Sequence, residues 1–547
     1  MAHATTTVDA PTARVRPLRA APSPGLDERR FRLAVAASTT LVGAFLAFRA
    51  TAWPPHEDEA LELYVGHRSL PALLDTVLGE RGGAPLHFLL AWAVVHLGGG
   101  LEALRFVSAA FALASVPLIA ALAVRLADRT IAAVATALAA VSWMLLFHGV
   151  YGRMYSLFLF TSALSYLALL EALRVGGRRR WALWVVAVLA TVATHPYGAL
   201  VLGSQVVFLV IRRERLREAA LAGTAVAVLG TPFWITDLVL AGRFDVGVGG
   251  GGAKLGGPIA VLEYFGDVIA DFAAGPVLVP VVLVLVALGA RNLVRTNSRA
   301  ATLVACVVGT PAAAFVLARL GSAAAPETRH LVFTLPFFAT LLAGGVVAVA
   351  RSGRPGAEPG AVAVAALLAV GAVAWGWDKT PALFRGEPQT QVTARERAAG
   401  WLAATGRPND VLLGYEPVFL GAWKRSPRFS RLVLPRADAR LALSALRDAR
   451  RPLGRGIWVL NSADTTNIVQ ESTIPPRRPR PGAAFDVRAF GPLLVVRTRR
   501  PVGTPARYLR TAAAVMILGK TLGIGDADIN FVTVARATRL LYGGSPS

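Results

Sequence analysis

Residues 33–60 read LAVAASTTLVGAFLAFRATAWPPHEDEA, an apolar segment followed at once by a cluster of acidic residues. No charged residue occurs in 33–48, and the whole apolar segment reaches the roughly 20 residues that cross about 30 Å of hydrocarbon. Glu57, Asp58 and Glu59 come directly after its exit. Acidic residues at a helix end are most often a solvated loop, so this cluster predicts chemistry only if other parts of the chain converge on it.

Composition places the chain in a membrane. With 547 residues and 54% hydrophobic content, it is too apolar for a soluble protein. The net charge of +24 would by itself suggest a nucleic-acid partner. Membrane proteins, however, keep Arg and Lys in cytoplasmic loops, which favours membrane topology and no nucleic acid. The sole cysteine, Cys306, lies in an apolar run, so an intrachain disulfide and a Cys-based metal site are excluded.

Eleven apolar runs predict transmembrane helices. They are 33–53, 106–124, 130–150, 154–170, 181–194, 197–211, 219–235, 275–290, 300–318, 331–350 and 361–377. Residues 61–78 carry apolar residues at helical spacing, and 85–97 is apolar but too short to span. Both predict helices at the outer membrane surface, separated by a glycine-rich break at 79–83.

The short basic loops set the orientation, because Arg and Lys near helix ends are retained in the cytoplasm. Under this parse the strongly basic loops are all cytoplasmic. They are 125–129, 174–180, 212–217, 291–299 and 351–354. The predicted outer connections are 148–153, 195–196, 236–274 and 321–330, and the glycine run 247–252 is read as a flexible flap. The protein is therefore predicted in the cell (plasma) membrane with its active site outside.

Three regions follow from this parse. Residues 1–32 are predicted to be a disordered cytoplasmic tail, 33–378 the transmembrane catalytic domain and 379–547 an extracytoplasmic soluble domain. The last region alternates strand-like pieces (411–415, 456–460, 492–497) with helix-like ones (392–405, 441–451, 507–519), and its Arg-Pro stretch at 475–481 reads as a loop. The predicted fold class is an α-helical polytopic membrane protein of about eleven transmembrane helices with a small C-terminal α/β domain.

Ionisable residues cluster at the predicted outer ends of the spans. Beside the three acids they are His56, Glu80, His87, His148, Arg153, Tyr155, His195, Tyr197, Arg329 and His330. A carboxylate among Arg, His and Tyr near a bilayer suits an anionic lipid-linked substrate, with the carboxylate as general base and Arg binding phosphate. Taken singly each signal is weak: His195 before a proline is more often a helix-end residue, and Arg153 could snorkel to headgroups.

Five strings give a family resemblance. They are Glu57-Asp58-Glu59-Ala60, Ala84-Pro85-Leu86-His87-Phe88-Leu89-Leu90, Leu104-Arg105-Phe106-Val107-Ser108, Arg153-Met154-Tyr155-Ser156-Leu157 and Thr194-His195-Pro196-Tyr197-Gly198. Together they resemble the bacterial membrane glycosyltransferases of the GT-C superfamily, of the kind related to protein O-mannosyltransferases and lipid A aminoarabinose transferases. The resemblance covers roughly residues 33 to 350. In three places the chain departs from the family pattern: Ala84 replaces a proline, His87 and Phe88 replace tyrosines, and His330 replaces the tyrosine after Arg329.

The resemblance implies a polyprenyl-phosphate sugar donor, inverting transfer on the extracytoplasmic side and a catalytic aspartate, which maps onto Asp58. Glu59 and Glu57 are predicted as supporting acids, Glu80 matches the place of a second acidic residue of the family, and Arg153, Arg329 and Tyr155 are predicted at the donor phosphate. The superfamily often involves a divalent metal (Mg, Mn or Zn), which Asp58 and Glu80 would hold. The acceptor would be a glycan, a lipid or a protein.

Two other classes of function remain open at this point. A transporter or flippase of a lipid-linked sugar would also have many spans and buried charges. Transporters tend to show inverted repeats and mid-span charges, and neither is evident here. A scaffold that binds wall polymer through its outer domain would not need the acidic cluster.

Overall fold

The computed structural model describes residues 25–241, 258–320, 327–386, 388–436, 439–461 and 484–521. The helices of the apolar part are α1 (Glu28–Ala52), α2 (Glu57–Gly66), α3 (Leu70–Leu74), α4 (Leu86–His96), α5 (Leu101–Leu126), α6 (Arg129–Ala140), α7 (Trp143–Val150), α8 (Tyr155–Val175), α9 (Arg178–Thr194), α10 (Gly198–Arg212), α11 (Leu216–Leu229), α12 (Thr231–Ala241), α13 (Pro258–Phe272), α14 (Val279–Thr296), α15 (Ser298–Leu320), α16 (Leu335–Ala350) and α17 (Ala357–Lys379). A π-helix covers Asp75–Arg81, and 3₁₀ turns precede α14 (Pro276–Leu278) and α16 (Thr328–Thr334).

Each of the eleven predicted spans coincides with a helix or a bent helix pair. Among the described residues, seven helices are long and apolar enough to cross a membrane, and nine spans result if each bent pair counts as one. The bent pairs are α6 with α7, at 51°, and α11 with α12, at 57°. Helices α9 and α10 correspond to the two remaining predictions but have only 17 and 15 residues. The chain is thus a multi-pass membrane protein of the predicted fold class.

The predicted cytoplasmic loops meet at one end of the helix bundle. Arg129 lies 2.7 Å from Glu28, at the start of α1. Asp128 pairs with Arg351 at 2.6 Å, across 223 positions of chain. Arg299 pairs with Glu214 at 2.7 Å. Loops predicted on the same side of the membrane therefore contact one another, which agrees with the predicted number of spans between them.

Several predicted connections are wrong in detail. The predicted outer loop 236–274 contains the end of α12 and all of α13, and its glycine run lies outside the described residues. The surface helix predicted over 61–78 is broken into α2, α3 and the π-helix, which ends at Gly82 with a φ of 74°. Residues 1–24 of the predicted tail lie outside the described part, and α1 begins before the predicted span, at Glu28, where the Asp27 side chain accepts a hydrogen bond from the Arg30 N–H.

The C-terminal region (the described residues after 379) is a five-stranded sheet with helices. Its elements are α18 (Ala382–Arg385), α19 (Gln389–Thr405), β1 (Val411–Gly414), α20 (Glu416–Arg425), β2 (Val433–Leu434), α21 (Ala439–Asp448), β3 (Gly456–Asn461), β4 (Phe485–Phe490), β5 (Leu493–Thr498) and α22 (Pro505–Thr521). The strand order is β2-β1-β3-β5-β4, with β1 parallel to both neighbours and β5 antiparallel to both of its own. The three predicted strands are confirmed, β2 and β4 were missed, and the Arg-Pro stretch 475–481 lies outside the described residues.

The sheet shares its hydrophobic core with the helix that follows the acidic cluster. Leu61 and Val65 on α2, Val77 on the π-helix and Phe88 on α4 belong to one buried cluster with the strands of the C-terminal region. The apolar face of 61–78, predicted to lie on the membrane, is therefore packed against protein. The consequence is that the C-terminal region fixes the position of α2.

Candidate active site

Glu59 is held by four hydrogen bonds at the start of α2. Arg105 donates to both of its carboxylate oxygens (Nε to Oε1 2.8 Å, Nη2 to Oε2 2.6 Å), and the backbone N–H groups of Gly152 and His56 add contacts of 2.8 and 3.0 Å. A Cβ at Gly152 would lie 3.1 Å from Oε1, so glycine allows this approach. Burial acts to raise the pKa of Glu59, but Arg105 outweighs it and the pKa is lowered.

Arg105 also ties this carboxylate to the end of the first span. Its Nη1 and Nη2 groups donate to the carbonyls of Trp53 and Pro54, each at 2.7 Å, and Nη1 reaches the Ala50 carbonyl at 3.2 Å. Ala50 lies in the last turn of α1, where carbonyls lack a partner within the helix, and Trp53 and Pro54 follow directly after it. Glu59 and Arg105, 0% and 2% exposed, therefore lock the exit of α1 to the start of α2.

Asp58 keeps a partly free carboxylate. Its side chain is 18% exposed, its Oδ2 accepts a hydrogen bond from the Tyr151 hydroxyl at 2.9 Å, and Arg329 Nη1 lies 3.9 Å away. The Tyr151 hydroxyl is also 2.8 Å from His56 Nδ1. Burial acts to raise the pKa of Asp58, but the nearby cationic groups, Arg153 first, hold that pKa well below its usual range. The site thus presents an ionised carboxylate with access to solvent.

A second buried ion pair lies one turn further along α2. Arg153 Nη1 donates to Glu62 Oε1 at 2.6 Å, and His87 Nδ1 lies 3.1 Å from Glu62 Oε2. All three residues are at most 5% exposed. Arg153 Nε, in contrast, is buried and has no hydrogen-bond partner among the described residues. Glu62 therefore orients Arg153 while leaving one of its donors available.

Three histidines and two tyrosines form a group that Arg329 connects to Asp58. The ring of Tyr155 lies 4.9 Å from that of His148, and His330 is 5.2 Å from both His195 and Tyr197. The guanidinium of Arg329 lies over the Tyr155 ring at 5.3 Å. Both ring nitrogens of buried His148 have no hydrogen-bond partner in the described part of the chain. The structure thus assembles the predicted residues from α7, α8, α9, α10 and the turn before α16 into one group.

The predicted supporting acid Glu57 contacts another part of the protein. Glu57 points to the C-terminal region, where its Oε2 lies 3.4 Å from Arg436 Nη2, and Arg436 also pairs with Glu416 at 2.8 Å. The side chain of Glu80 lies outside the described residues. No group of three His, Cys, Asp or Glu side chains that could hold a metal occurs among the residues described.

Sequence reasoning missed the partners that shape the site. Neither Glu62 nor Tyr151 is among the site residues predicted from the sequence, and Arg105 is named there only within a family string. A signal existed for Glu62, which lies three and four positions after Glu59 and Asp58 and so on the same side of a helix. Tyr151 gave none, because its contact with Asp58 spans 93 positions.

The chain matches known proteins in structure but not in sequence. No protein-family profile matches the chain. No curated protein sequence matches it either.

Solved structures of two membrane proteins are among those that the chain resembles. ArnT from Cupriavidus metallidurans bound to undecaprenyl phosphate has a TM-score of 0.52 at 12% identity, covering 86% of this chain and 98% of that one. The apo state of the same protein gives 0.48 at 15% identity, with the same coverage. The Archaeoglobus fulgidus oligosaccharyltransferase, in complex with Zn and sulfate, gives 0.48 at 11% identity over 79% of this chain and 68% of that one.

The fold assignment rests on the undecaprenyl phosphate-bound ArnT, because the other two scores fall below 0.5. Identities this low relate the folds and not the activities. The fold expected from the five sequence strings is confirmed at that level: the chain has the fold of this ArnT structure, as the resemblance implies.

Proposed function

We propose that the chain is an inverting glycosyltransferase that moves a sugar from a polyprenyl-phosphate donor to an extracytoplasmic acceptor, with Asp58 as general base. The observation that carries the proposal is the contrast among the carboxylates of α2. Glu59 and Glu62 are buried against arginines, whereas Asp58 is ionised, partly exposed and lies beside Arg329, which contacts the aromatic and histidine group. A general base needs to be both ionised and accessible.

The reaction that fits this geometry is a single displacement. The acceptor hydroxyl attacks the anomeric carbon while its proton passes to Asp58, and the bond between that carbon and the phosphate oxygen breaks on the opposite face. The polyprenyl phosphate leaves with the electron pair of that bond and needs no general acid, because its pKa is already low. One ionised carboxylate is sufficient for this chemistry.

Arg329 and Arg153 are the groups we assign to the donor phosphate. Arg329 is 25% exposed and lies 3.9 Å from Asp58, so a phosphate bound to it would place the anomeric carbon near the base. Arg153 contributes through its unpartnered Nε. A guanidinium suits phosphate because it offers two parallel donors.

The histidine and tyrosine group is assigned to the sugar. His148 brings two buried ring nitrogens that have no partner in the described residues, and Tyr155 brings a ring face beside it. A sugar presents hydroxyls and apolar C–H faces, which these groups match. His87 contacts Glu62 and is a positioning residue for Arg153 in this proposal.

Among the described residues, Asp58 has no neighbouring carboxylate available to hold a divalent metal with it. Divalent cations such as Mg²⁺ are held by one or two carboxylates, and waters or substrate phosphates complete the coordination. The neighbouring carboxylates Glu59 and Glu62 are committed to Arg105 and Arg153, and a third guanidinium, that of Arg329, lies beside Asp58. The positive charge that a metal would supply is provided here by arginine, so the proposed reaction contains no metal step.

The test is donor turnover by the purified protein. It is incubated with a panel of polyprenyl-phosphate sugars and candidate acceptors, and released polyprenyl phosphate is measured. We expect release with at least one donor and its loss in the Asp58→Asn variant. Acceptor-dependent release that persists in a folded Asp58→Asn protein would disprove the assignment of the base.

Orientation is the second part of the proposal, supported by the basic loops that meet at one end of the bundle. A reporter phosphatase that is active only outside the cytoplasm, fused after Trp401, should be active. The same reporter fused within 212–217 should be inactive. The reverse pattern would overturn the assignment of 379–547 to the outside.

A further inference from the structure

We propose that a groove in the C-terminal region, between the end of β5 and the start of α22, binds a glycan or headgroup that carries phosphate groups. The groove has a volume of about 710 Å³. Four arginines line it: Arg499, Arg500, Arg507 and Arg510. This site is separate from the Asp58 group and does not depend on the proposed transferase reaction.

Among the described residues, the four arginines differ from their neighbours in having no acidic partner. Arg455 pairs with Asp410 at 2.7 Å, just before strands β3 and β1, and Arg497 on β5 pairs with Asp486 on β4 at 2.5 Å. Within the described residues, no carboxylate pairs with any of the four groove arginines, and no acidic side chain lines the groove. Like charges gathered on one surface repel one another, and an anion removes that repulsion.

The backbone positions these four side chains around the groove. Arg507 and Arg510 are three positions apart in α22 and so share one side of the helix. Arg499 Nε donates to the Phe485 carbonyl at 3.2 Å, which holds its guanidinium at the groove. The terminal nitrogens of Arg499 make no hydrogen bond within the described residues. Several guanidinium forks therefore face the same opening.

Size and lining define the ligand class. Small-molecule sites commonly measure about 300–1,000 Å³, so one inorganic phosphate would leave most of this groove empty. Phe485, Pro501 and Val502 add apolar surface beside the arginines. Guanidinium forks bind phosphate oxygens in pairs, and apolar surface accepts the C–H face of a sugar. A sugar or glycerol unit carrying more than one phosphate, or part of a phosphodiester polymer, meets both requirements.

The test measures equilibrium binding of fructose 1,6-bisphosphate to the full-length protein in phosphatidylcholine nanodiscs, with fructose and inorganic phosphate as comparison probes. The Arg507→Gln/Arg510→Gln variant should bind the bisphosphate at least about tenfold more weakly, since each lost fork removes charge-assisted hydrogen bonds. The affinity of Arg507→Lys/Arg510→Lys for the bisphosphate should lie between those of the wild type and the glutamine variant, because lysine keeps the charge but lacks the planar guanidinium. The matched control is Arg425→Gln/Arg428→Gln, which removes the same charge from exposed residues elsewhere in the region.

The outcomes separate the alternatives. Wild-type protein that binds no bisphosphate, a groove variant that binds as the wild type does, or an equal loss in the control pair would each overturn the proposal. Repeating the measurement in phosphatidylglycerol nanodiscs identifies the source of the phosphate. Unchanged binding there assigns the groove to a soluble or polymeric phosphate, and lost binding assigns it to an anionic lipid headgroup. Because donor turnover is not measured, the result is independent of whether the chain transfers sugar.

Discussion

Asp58 and Glu59 are adjacent on α2, and the fold gives them opposite surroundings. Glu59 is 0% exposed and receives hydrogen bonds from Arg105, Gly152 and His56. Asp58 is 18% exposed, with one side-chain hydrogen bond, from Tyr151. Neighbouring side chains on a helix point about 100° apart, so only one of two adjacent acids can face a given pocket. In the proposed mechanism, Glu59 therefore holds the site together and Asp58 is the carboxylate that reacts.

The largest effect is expected on replacing the free carboxylate. Asp58→Asn should lower turnover by roughly 100-fold to 10,000-fold, the usual contribution of a general base, while the fold and donor binding remain. Turnover and donor affinity are measured together, with Glu59→Gln as the partner variant, which should lose less turnover. An active Asp58→Asn enzyme beside a folded but inactive Glu59→Gln one would mean that the roles of the two acids are reversed.

The next largest effect is expected on replacing Arg105, the ion-pair partner of Glu59. Arg105→Met leaves Glu59 buried and unpaired, and breaking such a pair should cost about 3–5 kcal/mol of stability. Denaturant unfolding in detergent measures it. The double variant Arg105→Met/Glu59→Leu, which removes both charges, should recover much of the loss. An Arg105→Met protein as stable as the wild type would contradict the locking role.

Tyr151→Phe removes the hydroxyl that donates a hydrogen bond to Asp58 and is expected to change the pKa of that carboxyl. Without the Tyr151 hydroxyl, the pKa of Asp58 should rise toward its ordinary value of about 4. Because a base works only when ionised, the acid limb of kcat/KM should move to higher pH, with little change at neutral pH where Asp58 stays ionised. A pH profile of both proteins measures the shift, and an unmoved acid limb would show that Tyr151 does not act on Asp58.

A smaller effect is expected from Arg329→Lys, which changes the group facing Asp58. Lysine keeps the charge but loses the planar fork, so donor KM should rise by about tenfold with less change in kcat. Arg129→Lys, at the opposite end of the bundle, is the matched control. Unaltered donor affinity and turnover in Arg329→Lys would remove that residue from the phosphate site.

The smallest effect is expected at the third acid of the cluster. Glu57 is 31% exposed and 3.4 Å from Arg436, and such pairs contribute about 0–1 kcal/mol. Glu57→Gln should therefore change turnover by less than about threefold. A loss of turnover as large as that of Asp58→Asn would show that Glu57 takes part in the reaction. The chemistry could then not be assigned to Asp58 alone.

The surroundings of Asp58 and Glu59 also show what could not be predicted from the sequence. The sequence placed Asp58 and Glu59 at a helix exit because hydropathy locates the span, but it could only choose between them by family resemblance. The choice depends on Arg105 and Tyr151, which lie 46 and 93 positions away along the chain. Such contacts arise when α5 and α7 pack beside α1, and a local pattern does not report them.

What the sequence determined by itself is the set of apolar spans, the grouping of the basic loops at one end of them and the three central strand pieces. Those features depend on hydrophobic length and alternation, which are local properties. The helix α13 and the strand β4 were missed, one in a stretch read as an outer loop and the other after an Arg-Pro run. Tertiary structure alone decided that the apolar face of α2 packs on the C-terminal sheet and not on lipid. The physical reason is that burial of apolar area is non-directional, so an amphipathic helix is equally satisfied by a bilayer or by a neighbouring core until the rest of the chain supplies one of them.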